Sequence, residues 1–210
     1  MYPTAEVRWF FAGPVPSAIA AWFQRGGGDV ERQPPRTDRY LNLPGSPGVN
    51  IKLRESLIEI KQRVGDGEAF QFHEHVAGVV ESWRKWSFEL AEPRRARLRA
   101  APPASSWIAV RKERRLRTYA VKEGEEVVAQ PASGSPVHGC ELELTRVRAA
   151  REAWWTLAFE AFGDESALRD NLVLVAQHVF GLDAPPRLEI EHSRGYAAWL
   201  ARLPHSKARR

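Results

Sequence analysis

The stretch Arg36 to Arg63, RTDRYLNLPGSPGVNIKLRESLIEIKQR, constrains the fold more than any other, because apolar and charged residues alternate singly along two consecutive runs. Period-two alternation makes a strand with two unlike faces. The stretch reads as three short strands: an extended RTDRYLNL, the turn PGSPG, an alternating VNIKLR, a turn at Glu55 and Ser56, and a second alternating run LIEIKQR. Lys52 and Arg54 share one face, opposite Ile51 and Leu53. In the next strand Glu59, Lys61 and Arg63 lie opposite Ile58 and Ile60. Two neighbouring strands thus offer an apolar face and a cationic one. An ordinary one-sided sheet does this with its charges in water; a concave sheet could instead use the cations to hold a polyanion.

Charge alone does not choose between these. The chain carries +5 over 210 residues, but Lys207, Arg209 and Arg210 supply three of the five, leaving +2 for the rest. That balance argues against nucleic acid as the partner. Hydrophobic residues make up 43%, with eight Trp and nine Phe, enough for one substantial core. The single cysteine, Cys140, excludes an internal disulfide framework and a cysteine-rich zinc site. WFFAGPVPSAIAAWF is broken by Pro14 and Pro16 and is preceded by Glu6, unlike a signal peptide. No apolar run reaches membrane-spanning length. The expectation is a soluble cytoplasmic protein with no membrane partner.

The remaining segments extend the strand pattern. Ala5 to Ala12 alternates Glu6, Arg8 and Phe10 against Val7, Trp9 and Phe11, and a short helix follows from Ser17, a candidate N-cap, to Arg25. Gly65-Asp66-Gly67 is a hairpin signal before the long aromatic region Phe70 to Leu90. There Trp83 shares a face with Lys85. His73 and His75 could ligate a metal, but no third ligand stands near in sequence and a surface pair is the plainer reading. Glu92 to Pro103 reads as an arginine-rich solvated turn. Ser106 to Val121 returns to strand with Lys112 and Arg114 spaced by two, and charges crowd both of its faces. In CELELTRV, Glu141 and Glu143 share a face, a pair that suits a hard cation if it points into a cavity and is merely solvated if it points out. A strand at Ala153 to Phe162, a helix over Glu165 to Phe180, a strand RLEIEH and a helix SRGYAAWLARL complete the chain.

Taken in order, these pieces resemble the CYTH superfamily, the triphosphate tunnel metalloenzymes. The resemblance rests on the leading Glu6, on TDRYLNLPG followed by VNIKLRE and LIEIKQR, on VRKER, on ELEL and on the closing SRGYAAWL. It implies an α+β fold: an antiparallel eight-stranded β-barrel, a tunnel with flanking helices, over residues 1–202, with 203–210 as a basic flexible tail. It further implies a small phosphorylated anion such as a triphosphate as ligand, with Mg²⁺ or Mn²⁺ as cofactor. Carried over residue by residue, Arg8, Lys52, Arg54, Lys61, Arg63, Lys112 and Arg114 would hold phosphate. Glu6, Glu141 and Glu143 would hold metal, and Glu141 and Glu143 would be the catalytic carboxylates of a hydrolase.

The first strand departs from the family pattern. Active members read E-x-E-x-K there, whereas this chain has Glu6, Arg8 and Phe10. Arg8 replaces a metal-facing carboxylate, and at an effective dielectric of about 20 a unit pair 4 Å apart is worth around 4 kcal/mol. Three functions follow as expectations: a metal-dependent triphosphatase with a degenerate metal site, a polyanion- or nucleotide-binding module without catalysis, or a structural protein whose tunnel is filled by cross-tunnel ion pairs such as Arg8 with Glu141. Inside a tunnel the Arg8 guanidinium would pair with phosphate or with Glu141 or Glu143.

Overall fold

The computed structural model describes residues 1–54, 56–91, 107–183 and 186–203. Glu55, the arginine-rich stretch 92–103 and the basic tail from 204 onward lie outside the described residues. In chain order the elements are β1 Tyr2–Ala12, α1 Ser17–Arg25, β2 Glu31–Arg32, β3 Arg36–Leu41, β4 Val49–Arg54, β5 Leu57–His73, β6 Val76–Glu89, β7 Trp107–Val121, β8 Val127–Ala129, β9 Gly139–Ala149, β10 Glu152–Phe162, α2 Leu168–Leu182 and α3 Tyr196–Leu200.

The alternating stretch forms β3, β4 and the start of β5, with Tyr40 opposite Lys52 and Lys52 opposite Glu59. Pairing continues through β6, β1, β10 and β9, and β9 returns to β7, which pairs with β3. Eight antiparallel strands therefore close into an α+β barrel, as the sequence led us to expect. Closure removes the exposed edges of an open sheet. The short β2 and β8 add to β7 beyond the end of β3.

Alternation then divides the chain between outside and inside. The outward residues Val7, Trp9, Leu142, Leu144, Leu157 and Phe159 pack under α2, whose buried stripe is Leu168, Leu172, Val175, Ala176, Val179 and Phe180. Burying each such side chain contributes roughly 1.5–3 kcal/mol. Helix α1 presents Trp22 and Phe23 to the same core. Arg117 of β7 donates to the carbonyls of Phe23, Gln24, Gly27 and Gly28, so a cation sits where the helix dipole is negative and ties α1 to the barrel.

Inside, a second core fills one end. Tyr196, Trp199, Leu200 and Leu203 pack against Phe10, Tyr40, Val110, Val147 and Ala149. Phe10 stacks on Trp199 at 4.7 Å and meets Tyr196 edge-on at 5.0 Å. Since Phe10 follows Glu6 and Arg8 on the inward face of β1, the interior passes from charged to apolar along that strand. The barrel is a cup closed by α3.

Three sequence expectations are corrected. Gly65-Asp66-Gly67 is not a hairpin turn: β5 runs through it with a shift of register between Val64 and Glu68, and Gly65, at φ 68°, accommodates the bulge. The chain reverses at Glu74 and His75 instead. RLEIEH is not a strand. Leu188 makes one bridge to Val76, and Ile190–His192 is a 3-10 turn, because a closed barrel leaves no edge for another strand to extend. The last helix is shorter than expected, starting at Tyr196 after Gly195, where a Cβ would stand 2.7 Å from Glu81 Oε2. No helix among the described residues is long and apolar enough to cross a membrane.

Candidate functional site

The inward faces converge on one cavity of about 70 Å³, lined on opposite sides by unlike charge. The space corresponds to only a handful of water molecules, because side chains from across the barrel meet within it.

Register builds the acidic side. Glu6 of β1 lies directly opposite Glu81 of β6 and Glu160 of β10, and Glu160 lies opposite Glu141 of β9. Four carboxylates thus form a row across four strands, an arrangement that repels itself unless cations intervene. The cations are the chain's own. Lys61 reaches Glu160 at 2.8 Å and Glu6 at 3.3 Å, and Arg63 reaches Glu81 at 3.0 Å. Despite burial, Lys61 holds the Glu160 carboxyl down at about 2. Arg8, 4% exposed, lies one pleat deeper: its Nε donates to Glu6 at 2.6 Å, and its Nη1 donates to Glu143 at 2.5 Å and to Thr156 at 3.1 Å. Arg114 donates to the other oxygen of Glu143 at 2.6 Å, and Thr145 donates to the first at 2.8 Å. Burial opposes the Glu143 charge, yet Arg114 and Arg8 keep its carboxyl well below the usual range. The Glu141 carboxylate has no hydrogen bond or ion pair among the described residues. Burial and the neighbouring Glu160 push it up to about 7.

The opposite wall is basic. Asp38, fully buried on β3, receives Arg54 at 3.1 Å, Lys112 at 3.1 Å and Arg36 at 3.6 Å. Glu59 receives Lys85 at 2.6 Å, Lys52 at 2.8 Å and Arg54 at 3.1 Å. Five cations thus share two carboxylates. Arg36 Nε is buried without a hydrogen-bond acceptor. Crowding shows in the proton affinities: burial and Arg54 push Lys52 down to about 8, and burial together with Arg114 and Arg54 lowers Arg36. Burial takes Lys112 well below its ordinary value, although Asp38 opposes the shift. The Lys112 ammonium accepts partial compensation from the Tyr196 ring, 3.8 Å away, and donates to the Tyr40 hydroxyl at 2.5 Å.

All ten residues singled out from the sequence fall on the inward face. Glu6, Arg8, Lys52, Lys61, Lys112, Arg114 and Glu143 line the cavity, Arg54 joins through Asp38 and Glu59, Arg63 through Glu81, and Glu141 stands in the carboxylate row. Of the two carboxylates expected to pair with Arg8, the structure gives Glu143 and not Glu141, and it adds Glu6. Sequence reasoning missed Asp38 and Glu160. Both were recoverable by alternation, Asp38 from Arg36 and Tyr40, and Glu160 from Thr156 and Ala158. His73 and His75, with ring centroids 6.4 Å apart at the hairpin tip, lie outside the cavity.

The residues assigned to a divalent ion do not fit one in this arrangement. Glu6 and Glu143 have their oxygens engaged by Arg8, Lys61 and Arg114, which leaves Glu141 alone of the three, and among the described residues no three carboxylate, imidazole or thiol side chains converge closely enough to hold a metal ion together. A divalent ion roughly 4 Å from the Arg8 guanidinium would meet about 8 kcal/mol of repulsion at an effective dielectric of about 20.

No family model matches the sequence, and no curated protein matches it. Among solved structures, the S. pombe Pct1 RNA triphosphatase in complex with the Spt5 CTD is similar at 11% identity, over 88% of this chain and 78% of that chain, with a TM-score of 0.39.

Proposed function

We propose that the cup binds a small polyanion of the triphosphate class without a divalent metal and without hydrolysing it. The observation that carries this reading is the crowding of Arg36, Lys52, Arg54, Lys85 and Lys112 around Asp38 and Glu59 alone. Like charges held this close lower one another's proton affinity, and an entering anion relieves that repulsion. Guanidinium groups also match phosphate oxygens in bidentate geometry. On the acidic wall Arg8 takes the place of a carboxylate that the family resemblance would turn toward metal, and with Lys61 it neutralises the carboxylates before any ligand arrives. Glu143 is fully engaged as an acceptor from Arg8, Arg114 and Thr145.

A second reading has its own support. The cavity is small and its cations reach carboxylates, so the ion pairs could simply be the interior of a structural barrel. A thermal shift series separates the two. Tripolyphosphate at about a hundredfold excess over its dissociation constant stabilises a binder by about 2.7 kcal/mol, which for a chain of this size is roughly 5–10 °C. Lys52→Ala with Arg54→Ala should abolish that shift, and phosphate release should stay at the uncatalysed rate with or without Mg²⁺. No shift at millimolar ligand supports the structural interior. Metal-stimulated release contradicts the non-catalytic reading.

A further inference from the structure

The outward face of the strands that line the cup carries a second concentration of positive charge. On β7 the inward Lys112 and Arg114 alternate with Arg111, Glu113 and Arg115, which point away from the cavity. Antiparallel register places Arg111 directly opposite Arg148 of β9 and Glu113 opposite Arg146, while Arg32 of β2 pairs with Arg115. Glu113 is the one carboxylate in this set. It stands 3.9 Å from Arg111 and 3.8 Å from Arg146, the outer limit of an ion pair. Arg32 and Arg148 are exposed with no carboxylate partner among the described residues. Like charges directly opposite destabilise a sheet, so the Arg111–Arg148 pairing has no rationale in folding.

The face is also concave. A groove of about 250 Å³ runs between Arg111, Glu113, Arg146 and Arg148 on one side and the turn after β1, Gly13 to Val15, on the other, and the half-buried Trp154, which meets Trp199 edge-on at 5.7 Å and donates to Glu152 at 3.3 Å, closes it at the rim of the barrel. Arginines two apart on a strand repeat at about 6.6–6.8 Å, and their guanidiniums fork onto phosphate. An aromatic and apolar wall beside such a ladder offers a planar base something to stack on. A flat lipid surface would leave the groove unfilled. An acidic peptide would satisfy the arginines without using Trp154.

We infer that this outer groove docks a single-stranded polynucleotide, with backbone phosphates on Arg111, Arg146 and Arg148 and a base against Trp154. The site is separate from the cup, since no residue that lines the groove lines the cup's cavity.

The test is fluorescence anisotropy with labelled oligonucleotides of about a dozen nucleotides, RNA and DNA, bearing a 5′-hydroxyl. Three phosphate contacts on a single strand give a log–log salt slope near −2, so binding should weaken roughly 20-fold between 50 and 200 mM salt. Arg111→Glu with Arg148→Glu should lose at least about tenfold in affinity and flatten the slope to near −0.7. Both side chains are exposed, so the melting temperature of this variant should match wild type, which excludes misfolding as the cause. The stronger of the RNA and DNA arms identifies the source of the strand. Undiminished binding by the double variant overturns the assignment. So does equal binding of a polyglutamate peptide, and equal binding of inorganic polyphosphate of matched charge in the Lys52→Ala, Arg54→Ala variant, whose cup is silenced, overturns the base contact.

Discussion

Replacing Arg8 by methionine keeps most of the side-chain volume and deletes only the charge at the centre of the acidic wall. The guanidinium is 4% exposed and bridges Glu6 and Glu143. Breaking a buried ion pair from one side costs about 3–5 kcal/mol, because the abandoned carboxylate stays buried. Here each carboxylate keeps one neighbour, Glu143 through Arg114 and Thr145 and Glu6 through Lys61, which places the loss near the lower limit. The guanidinium also lies 5.0 Å from the Tyr196 ring centroid, a contact worth roughly 0.5–1 kcal/mol. A loss of about 3 kcal/mol, at an m-value of about 2–3 kcal/mol/M, moves the urea midpoint down by roughly 1–1.5 M. The same variant releases carboxylate oxygens, so Mn²⁺ should recover part of the midpoint while leaving wild type unmoved. A midpoint shift below about 0.3 M, or a wild-type protein already stabilised by Mn²⁺, would refute the claim that Arg8 stands in for a metal.

The other predictions concern protons and the plug. Glu141 has its pKa raised from 4.5 to about 7, so the folded state binds its proton more tightly and stability falls as pH rises through that window. Glu141→Gln should therefore raise stability by about 3 kcal/mol at pH 8 and by less than about 1 kcal/mol near pH 5, read from urea melts at both. Glu59 and Glu160 are held down at about 2, so their contribution is complete above about 4.5 and is lost as pH falls toward 2; the melting temperature should drop steeply below about pH 4. Phe10→Ala should cost about 3–5 kcal/mol by emptying the stack on Trp199, detectable as a lower urea midpoint and greater tryptophan exposure. Phe10→Lys should be at least as costly, since it would bury an ammonium against aromatic rings.

Much of this was legible in the sequence because a closed barrel with a polar interior writes itself as alternation. Period two groups Lys52 with Arg54, Glu59 with Lys61 and Arg63, and Glu141 with Glu143 on shared faces, and the family resemblance turns those faces inward. Alternation does not say which charge meets which across the barrel; that depends on register and strand order, which select Glu143 over Glu141 as the partner of Arg8. The bulge at Gly65 imitates a turn, since glycine at positive φ serves both. Phe10 reads as a lost lysine on β1 and becomes intelligible only when Trp199, nearly two hundred residues away, stacks on it. The outer arginines were hidden for a different reason: a near-neutral net charge averages a basic face against acidic residues buried on the other side of the same strands.

The central claim is that the cup takes its polyanion with its own cations in place of a metal. Calorimetric titration of the full chain with tripolyphosphate in excess EDTA tests it most directly. The expected result is saturable binding at one site per chain, lost in the Lys52→Ala, Arg54→Ala variant and not tightened by added Mg²⁺. Binding that vanishes in EDTA and returns with Mg²⁺ would contradict it.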